Sequence, residues 1–387
     1  MGTFLNERAL NLKQGAIRAM FDKARNFPGS INLGIGEPDL DTPEEVVEAG
    51  CNALRQGKTH YTANAGVIEL REKISQYLSA QNVDVDPETE IIVTTGGMGA
   101  LALALMVTLS PGDEVLIQDP QWLNYYSQVR FCGGVPVPVP VYEEYGFRLM
   151  AEDIEKRITP KSKVLMLNTP NNPTGAVLEY EDLVAISNLA KKYNLLVITD
   201  EVYSTLLYDG MEHHSIISLP DMKDRTILVN SFSKSFAMTG WRVGYAAGSR
   251  AIIDKMIKLQ ENLVACVATS SQYAAIKALD TLDRASEMTE IYRERRDLIV
   301  EGLNSIKGIS CLKPKGSFYV FPNIKALGKT SEEVANELLE KAGVITVPGS
   351  AFGAQGEGYL RISYANSLEN IKEALNRIEK YTKELAL

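Results

Sequence analysis

A lysine lies within Ser231-Phe-Ser-Lys-Ser-Phe-Ala-Met-Thr-Gly-Trp-Arg242, just after a β-branched run, with hydroxyls on both sides and an arginine eight positions on. A lysine amine at the end of a buried strand loses water. Its pKa then falls, and it becomes a nucleophile able to form a Schiff base with a carbonyl. Taken alone, Lys234 reads first as a solvated loop lysine. Ser231 and Arg242 change that reading, because both can face one phosphate, the arginine through its fork of donors. A second segment, Thr94-Thr-Gly-Gly-Met-Gly-Ala-Leu101, sets glycines between a strand and a helix. Exposed N–H groups and a positive helix end would form an anion cradle there, although a plain tight turn has the same composition. The segment matches neither GxGxxG nor the P-loop, so nucleotide readings lose their best motif.

Two further segments follow apolar strands. Asn168-Thr-Pro-Asn-Asn-Pro-Thr-Gly175 is rich in turn formers and reads either as a structural loop or as an Asn amide aimed at a ligand above the strand ends. Asp200-Glu-Val-Tyr203 puts an acid at the tip of a very apolar strand. A carboxylate there is costly unless paired, and a protonated ring nitrogen is a suitable partner.

The elements that must position these residues alternate along the chain. Strand-like runs span 90–95, 113–118, 162–168, 195–200, 226–230 and 243–247, with helical patterns between several of them. Short apolar runs of this kind predict a mostly parallel sheet covered on both faces. After about residue 280 the texture changes to a charged helical stretch over 284–307 and Gly316-Ser-Phe-Tyr-Val-Phe321. A helix over 331–342 follows, then extended runs at 344–347 and 359–363 and a terminal helix from Ser367. This predicts a smaller α+β domain, joined by the first forty-odd residues.

Composition narrows the function classes. The 387 residues carry 40 basic against 49 acidic side chains, a net charge of −9, and no basic run, which disfavours nucleic-acid and anionic-membrane partners. The longest apolar stretch, 100–109, is about half a membrane span, and no signal-peptide pattern opens the chain. Four scattered cysteines and three histidines argue against a disulfide scaffold and against a zinc protein, and no metal is expected. The expected setting is cytoplasmic.

Order and spacing now carry more than any single motif. The sequence resembles the class I/II aminotransferases among the fold-type I pyridoxal-phosphate enzymes, nearly end to end. The resemblance runs through Gln14–Phe21, Leu33-Gly-Ile-Gly-Glu-Pro-Asp39 with Thr42-Pro43, and Tyr61-Thr-Ala-Asn-Ala-Gly66. It continues through Asn171-Asn-Pro-Thr-Gly175, Asp200-Glu-Val-Tyr203, Ser231-Phe-Ser-Lys234 with Arg242, and Tyr359-Leu-Arg-Ile-Ser363. It implies an α/β fold in which a large cofactor domain (46–284) holds a mostly parallel seven-stranded sheet sandwiched by helices. A smaller α+β domain is formed by both termini (1–45 and 285–387).

The resemblance also implies roles. Lys234 would bind the aldehyde of pyridoxal 5'-phosphate and later shuttle the substrate α-proton. Asp200 would hold the ring nitrogen protonated, Asn172 and Tyr203 would bond the ring's phenolic oxygen, and Trp122 would stack on the ring. The phosphate would rest on the amides of Gly97 and Met98, on Ser231 and on Arg242, with Tyr61 reaching the site of a second subunit in a homodimer. Arg361 would clamp the substrate α-carboxylate, completed by the Gly36 backbone, Asn172 and Trp122. Ile17 and Phe352 are candidates for a lid or side-chain pocket.

The implied reaction moves an amino group between an L-amino acid (aromatic, aspartate or another neutral donor) and a 2-oxo acid such as 2-oxoglutarate, through pyridoxamine phosphate. Met98 stands where some members specific for acidic substrates carry a lysine, and 261–271 contains no Lys or Arg. Aspartate is thereby weakened and neutral or aromatic donors are raised. The alternative is a carbon–sulfur β-lyase of the same fold, whose cofactor-holding residues would be identical. A transcription regulator lacks room for a DNA-binding module before residue 34, and a nucleotide-dependent oxidoreductase lacks its glycine fingerprint.

Overall fold

The computed structural model describes residues 22–385 together with Phe4, Gly15 and Met20. Ile17, and most of the Gln14–Phe21 motif, lie outside the described residues. Strands β1 (Ile31–Asn32), β2 (Ile91–Thr94), β3 (Glu114–Asp119), β4 (Val135–Pro140), β5 (Ser162–Asn168) and β6 (Leu196–Asp200) are followed by β7 (Thr226–Ser231) and β8 (Gly244–Gly248). Beyond them come β9 (Tyr319–Val320), β10 (Val344–Ile345), β11 (Val347–Pro348) and β12 (Leu360–Ser363). Seven strands form one sheet in the order β2-β8-β7-β6-β5-β3-β4. All are parallel except β8, which runs against both of its neighbours.

The strands are apolar throughout because both faces of the sheet are covered, and alternation decides which residue meets which layer. Val164 and Met166 of β5 join Ile198, Val229 and Ala246 under the helices Gly96–Thr108 and Arg250–Leu263. Their neighbours Leu165 and Leu167 face the opposite layer with the helix Tyr180–Lys192. The apolar run at 100–109 is thus a core helix. Six of the seven strands coincide with the β-branched runs of the sequence. The seventh, β4, reads Val-Pro-Val-Pro-Val-Pro, which hides its strand character. Proline donates no N–H, so this strand is tolerated only at the sheet edge, paired on one side with β3.

The carboxy-terminal part has its own core. The 24-residue helix Leu282–Ser305 and the helix Leu368–Glu384 pack with a three-stranded sheet β11-β12-β9. Residues 31–32 pair in parallel with 344–345, so the amino-terminal segment joins this layer. We propose a division into domains at 45/46 and 284/285; the second boundary falls in the first turn of the long helix. Among the described residues no helix is long and apolar enough to cross a membrane.

Candidate active site

Parallel strands deliver their carboxyl ends to one edge, and β5, β6 and β7 end there in Asn168, Asp200 and Ser231. Above that edge lies a cavity of about 290 Å³, and its wall includes Gly36, Gly97, Met98, Trp122, Asn172 and Asp200. Tyr203, Ser231, Lys234, Arg242 and Arg361 also face it. All the residues expected from sequence to hold the cofactor or the substrate α-carboxylate therefore meet in one place, with a single exception. Tyr61 is 88% exposed and does not line this chain's own cavity.

Lys234 sits in the short helix Phe232–Ser235 that follows β7, and Ser231 caps it by accepting from Ser233 N. Its Nζ donates to Gly36 O at 2.5 Å and lies 5.7 Å from the Phe318 ring. Burial of the amine, reinforced by Arg361 and Arg242 and opposed by Glu37 and Asp200, lowers its pKa to about 8. Asp200 is buried, and among the described residues no Lys, Arg or His forms an ion pair with it; Lys234 acts on it only through its field. Desolvation pushes the Asp200 pKa up to about 6, against the Tyr125 hydroxyl, which donates to Oδ2 at 2.7 Å, and Val202 N on Oδ1 at 3.3 Å.

Arg361, on β12, is 1% exposed. Its Nη1 donates to Asn172 Oδ1 at 3.1 Å and its Nη2 to Gly34 O at 2.6 Å, while Nε is buried without a partner among the described residues. The guanidinium lies 4.5 Å from the Tyr319 ring and 5.0 Å from Phe352, and burial lowers its pKa. Phe352 is fully buried behind Arg361 and is not part of the cavity wall, so it supports the clamp instead of forming a lid or side-chain pocket. Tyr203 OH and Tyr319 OH stand 3.1 Å apart, and burial raises the Tyr203 pKa well above its usual value.

The glycine turn opens the helix Gly96–Thr108, whose first N–H groups receive no side-chain cap. Gly96 has φ +67°, and a Cβ there would lie 2.6 Å from Arg242 Nη2. Gly244, on β8, lets that strand pass so close that a Cβ would stand 2.7 Å from Gly97 N. Missing side chains at both positions thus bring together the Arg242 guanidinium, the helix-end amides and the Ser231 hydroxyl. A donor set of this kind suits a phosphate.

Sequence reasoning missed Tyr125, Tyr319, Glu37 and Thr239. Tyr125 lies three residues after Trp122, on the same face of the turn and helix, and that spacing is a usable signal. Nothing in the sequence couples Tyr319 to Tyr203, or Thr239 to Glu37, whose side chains meet at 3.2 Å.

Known proteins place this geometry. The model of the family "Aminotransferase class I and II" matches residues 28–378. The aromatic-amino-acid aminotransferase 2 of Thermococcus litoralis is 45% identical over 387 residues, 99% of each chain. An aspartate aminotransferase of Pyrococcus abyssi is 46% identical over 387 residues, again 99% of each. The structure of an aspartate aminotransferase from Thermus thermophilus with maleate has a TM-score of 0.92 at 40% identity, covering 98% of this chain and 100% of that one. The chain belongs to the class I and II aminotransferase family and is an aminotransferase.

Proposed function

We propose that this chain binds pyridoxal phosphate in the cavity and exchanges the amino group of a neutral or aromatic L-amino acid with a 2-oxo acid such as 2-oxoglutarate. The observation that carries this reading is the convergence of Lys234, Asp200 and Arg361 on one enclosed space. The residues fit the cofactor on two counts and its substrate on a third. Asp200 is a buried carboxylate with no ion-pair partner among the described residues, and Gly96 and Gly244 make room for a phosphate cradle, while Arg361 Nε, a buried donor with no acceptor among the described residues, suits the substrate carboxylate. When bound, pyridoxal phosphate supplies an aldehyde that accepts an amine and a ring that withdraws electrons from the substrate Cα–H bond.

Arg242, Ser231 and the amides of Gly97 and Met98 would hold the phosphate, and Asp200 would keep a proton at the ring nitrogen. Tyr203 and Asn172 would donate to the phenolic oxygen, while Trp122 would cover one ring face. Lys234, poised at about pH 8 by burial, serves first as the amine that fixes the aldehyde. Its Nζ would then carry the proton from the substrate Cα to the carbon that bore the aldehyde, the shift that an amino-group transfer requires. Arg361 would fix the α-carboxylate, using the Nε that has no partner among the described residues.

Among the described residues the cations of the cavity are Lys234, Arg242 and Arg361, and each is committed; Glu37 is a further carboxylate in the wall. A side-chain carboxylate would therefore meet no free cation among the described residues of this chain, which supports neutral and aromatic donors over aspartate. We also propose a homodimer in which the exposed Tyr61 reaches the second cavity.

A donor panel tests the reading. Amino acids are added one at a time, without any oxo acid, to the cofactor-loaded protein. Bleaching of the visible band with one oxo acid released per site is expected, most readily with aromatic donors. Continued ammonia and pyruvate release from cysteine conjugates, with the band restored, would instead make the protein a lyase.

A further inference from the structure

We propose that Asp119 is a positioning residue: its carboxylate clasps the Gly353–Gln355 turn and so fixes the two walls of the substrate-carboxylate pocket, Trp122 and Arg361, relative to each other. The inference rests on the reading of Arg361 and Trp122 given above and adds a residue that does not touch the substrate.

Asp119 ends β3 and is 4% exposed, and among the described residues no Lys or Arg forms an ion pair with it. Its partners are backbone amides from far along the chain. Ala354 N donates to Oδ2 at 3.1 Å and Gln355 N donates to Oδ1 at 3.2 Å. A third bond runs beside them, from Gln121 N to Phe352 O at 2.9 Å. Segments 119–121 and 352–355 are thus stitched together across the join between the large sheet and the carboxy-terminal part. Each segment leads directly to one wall of the pocket. Trp122 follows Gln121, and Phe352 packs its ring against the Arg361 guanidinium.

The turn itself is shaped for this carboxylate. Gly353 has φ +133°, and a Cβ at that position would overlap Asp119 Oδ1. Only glycine therefore lets the amides of the next two residues close on the acid. A carboxylate buried without a counter-ion is costly, and burial raises its pKa while the two amides hold it down. A group kept at such cost, outside the cavity wall, has alignment as its evident use. Substrate binding needs the Trp122 ring and the Arg361 fork at a fixed separation, and small displacements there reduce productive binding steeply.

The test uses cofactor-loaded protein carrying Asp119→Ala, Asp119→Asn, Gly353→Ala, or Asp119→Ala with Gly353→Ala. Readouts are amide hydrogen exchange over 350–356 and the KM and kcat of several neutral and aromatic donors. Asp119→Ala is expected to speed exchange at Ala354 and Gln355, and to raise KM about tenfold for every donor through loss of two charge-assisted bonds. It should leave kcat within about threefold and the bound-cofactor absorbance unchanged, the split expected for lost positioning. Asp119→Asn, which keeps an acceptor at nearly the same volume, should fall between wild type and Asp119→Ala. Gly353→Ala should add less in the Asp119→Ala background than alone, because the carboxylate it strikes is gone.

Faster exchange with unchanged KM would overturn the proposal, as would fully additive effects of the two alanines. Arg361→Leu, run alongside, separates the two readings. If it raises KM and Asp119→Ala does not, the clasp fails alone. If Arg361→Leu leaves KM unchanged, the carboxylate site itself has been misread.

Discussion

Asp200→Asn in the cofactor-free protein tests how the site is poised. The Asp200 carboxyl is fully enclosed, its pKa is pushed by burial up to about 6 from the usual carboxylate range, and a tyrosine hydroxyl is its chief polar partner. A carboxyl whose folded pKa lies above its unfolded value stabilises the fold below the unfolded pKa. That contribution is lost as pH rises through the folded pKa. Raising the pKa from the usual carboxylate range to about 6 corresponds to about 3 kcal/mol in full, of which roughly half is already gone at pH 5. Asparagine has the same shape and no charge to desolvate. Equilibrium urea unfolding of both proteins from pH 4 to pH 8 measures the difference, which cancels titrations that they share. Wild type minus variant should fall by about 2 to 3 kcal/mol across that range and flatten above pH 7. A flat difference, or one that rises with pH, would refute the view that Asp200 is held at a cost relieved by a cationic ring nitrogen. Turnover should meanwhile collapse in the variant, although the fold is more stable at neutral pH.

Lys234→Ala should abolish turnover while leaving non-covalent cofactor binding, seen as a shifted absorbance band; near-normal turnover would remove Lys234 from the mechanism. In the cofactor-free wild type, reaction of Lys234 with an added aldehyde should accelerate as pH rises through about 8, since the amine is reactive only when uncharged. Arg361→Leu removes a buried fork with two bonds at 2.6 and 3.1 Å. It should lower kcat/KM about a hundredfold for every donor, whereas an effect on one donor alone would make Arg361 a side-chain reader. Gly244→Ala forces a methyl to 2.7 Å from Gly97 N and should cost about 1–3 kcal/mol by overpacking. Titration with pyridoxal phosphate should show weakened binding, and unchanged affinity would show that the glycine turn does not hold the phosphate.

Much of this protein was legible from local order. The apolar runs before Asn168, Asp200 and Ser231 set three parallel strands, and parallel strands present their carboxyl ends together, so the chemistry had to gather at one edge. Spacing within Ser231–Arg242 and around Asp200 carried the family resemblance and most of the site. What sequence did not reveal are contacts between segments with no shared pattern. The β4 edge strand was hidden by alternating prolines, whose tolerance depends on having one neighbour and not two. The Tyr125 hydroxyl on Asp200, the Tyr319 and Phe352 rings around Arg361, and the amides of Ala354 and Gln355 on Asp119 join residues 75 to 236 positions apart or set by a neighbouring strand's register. Periodicity determines which residues are buried and which strand ends carry polar groups. Tertiary packing alone decides how much water each charge loses, and therefore how Lys234, Asp200 and Arg361 are tuned.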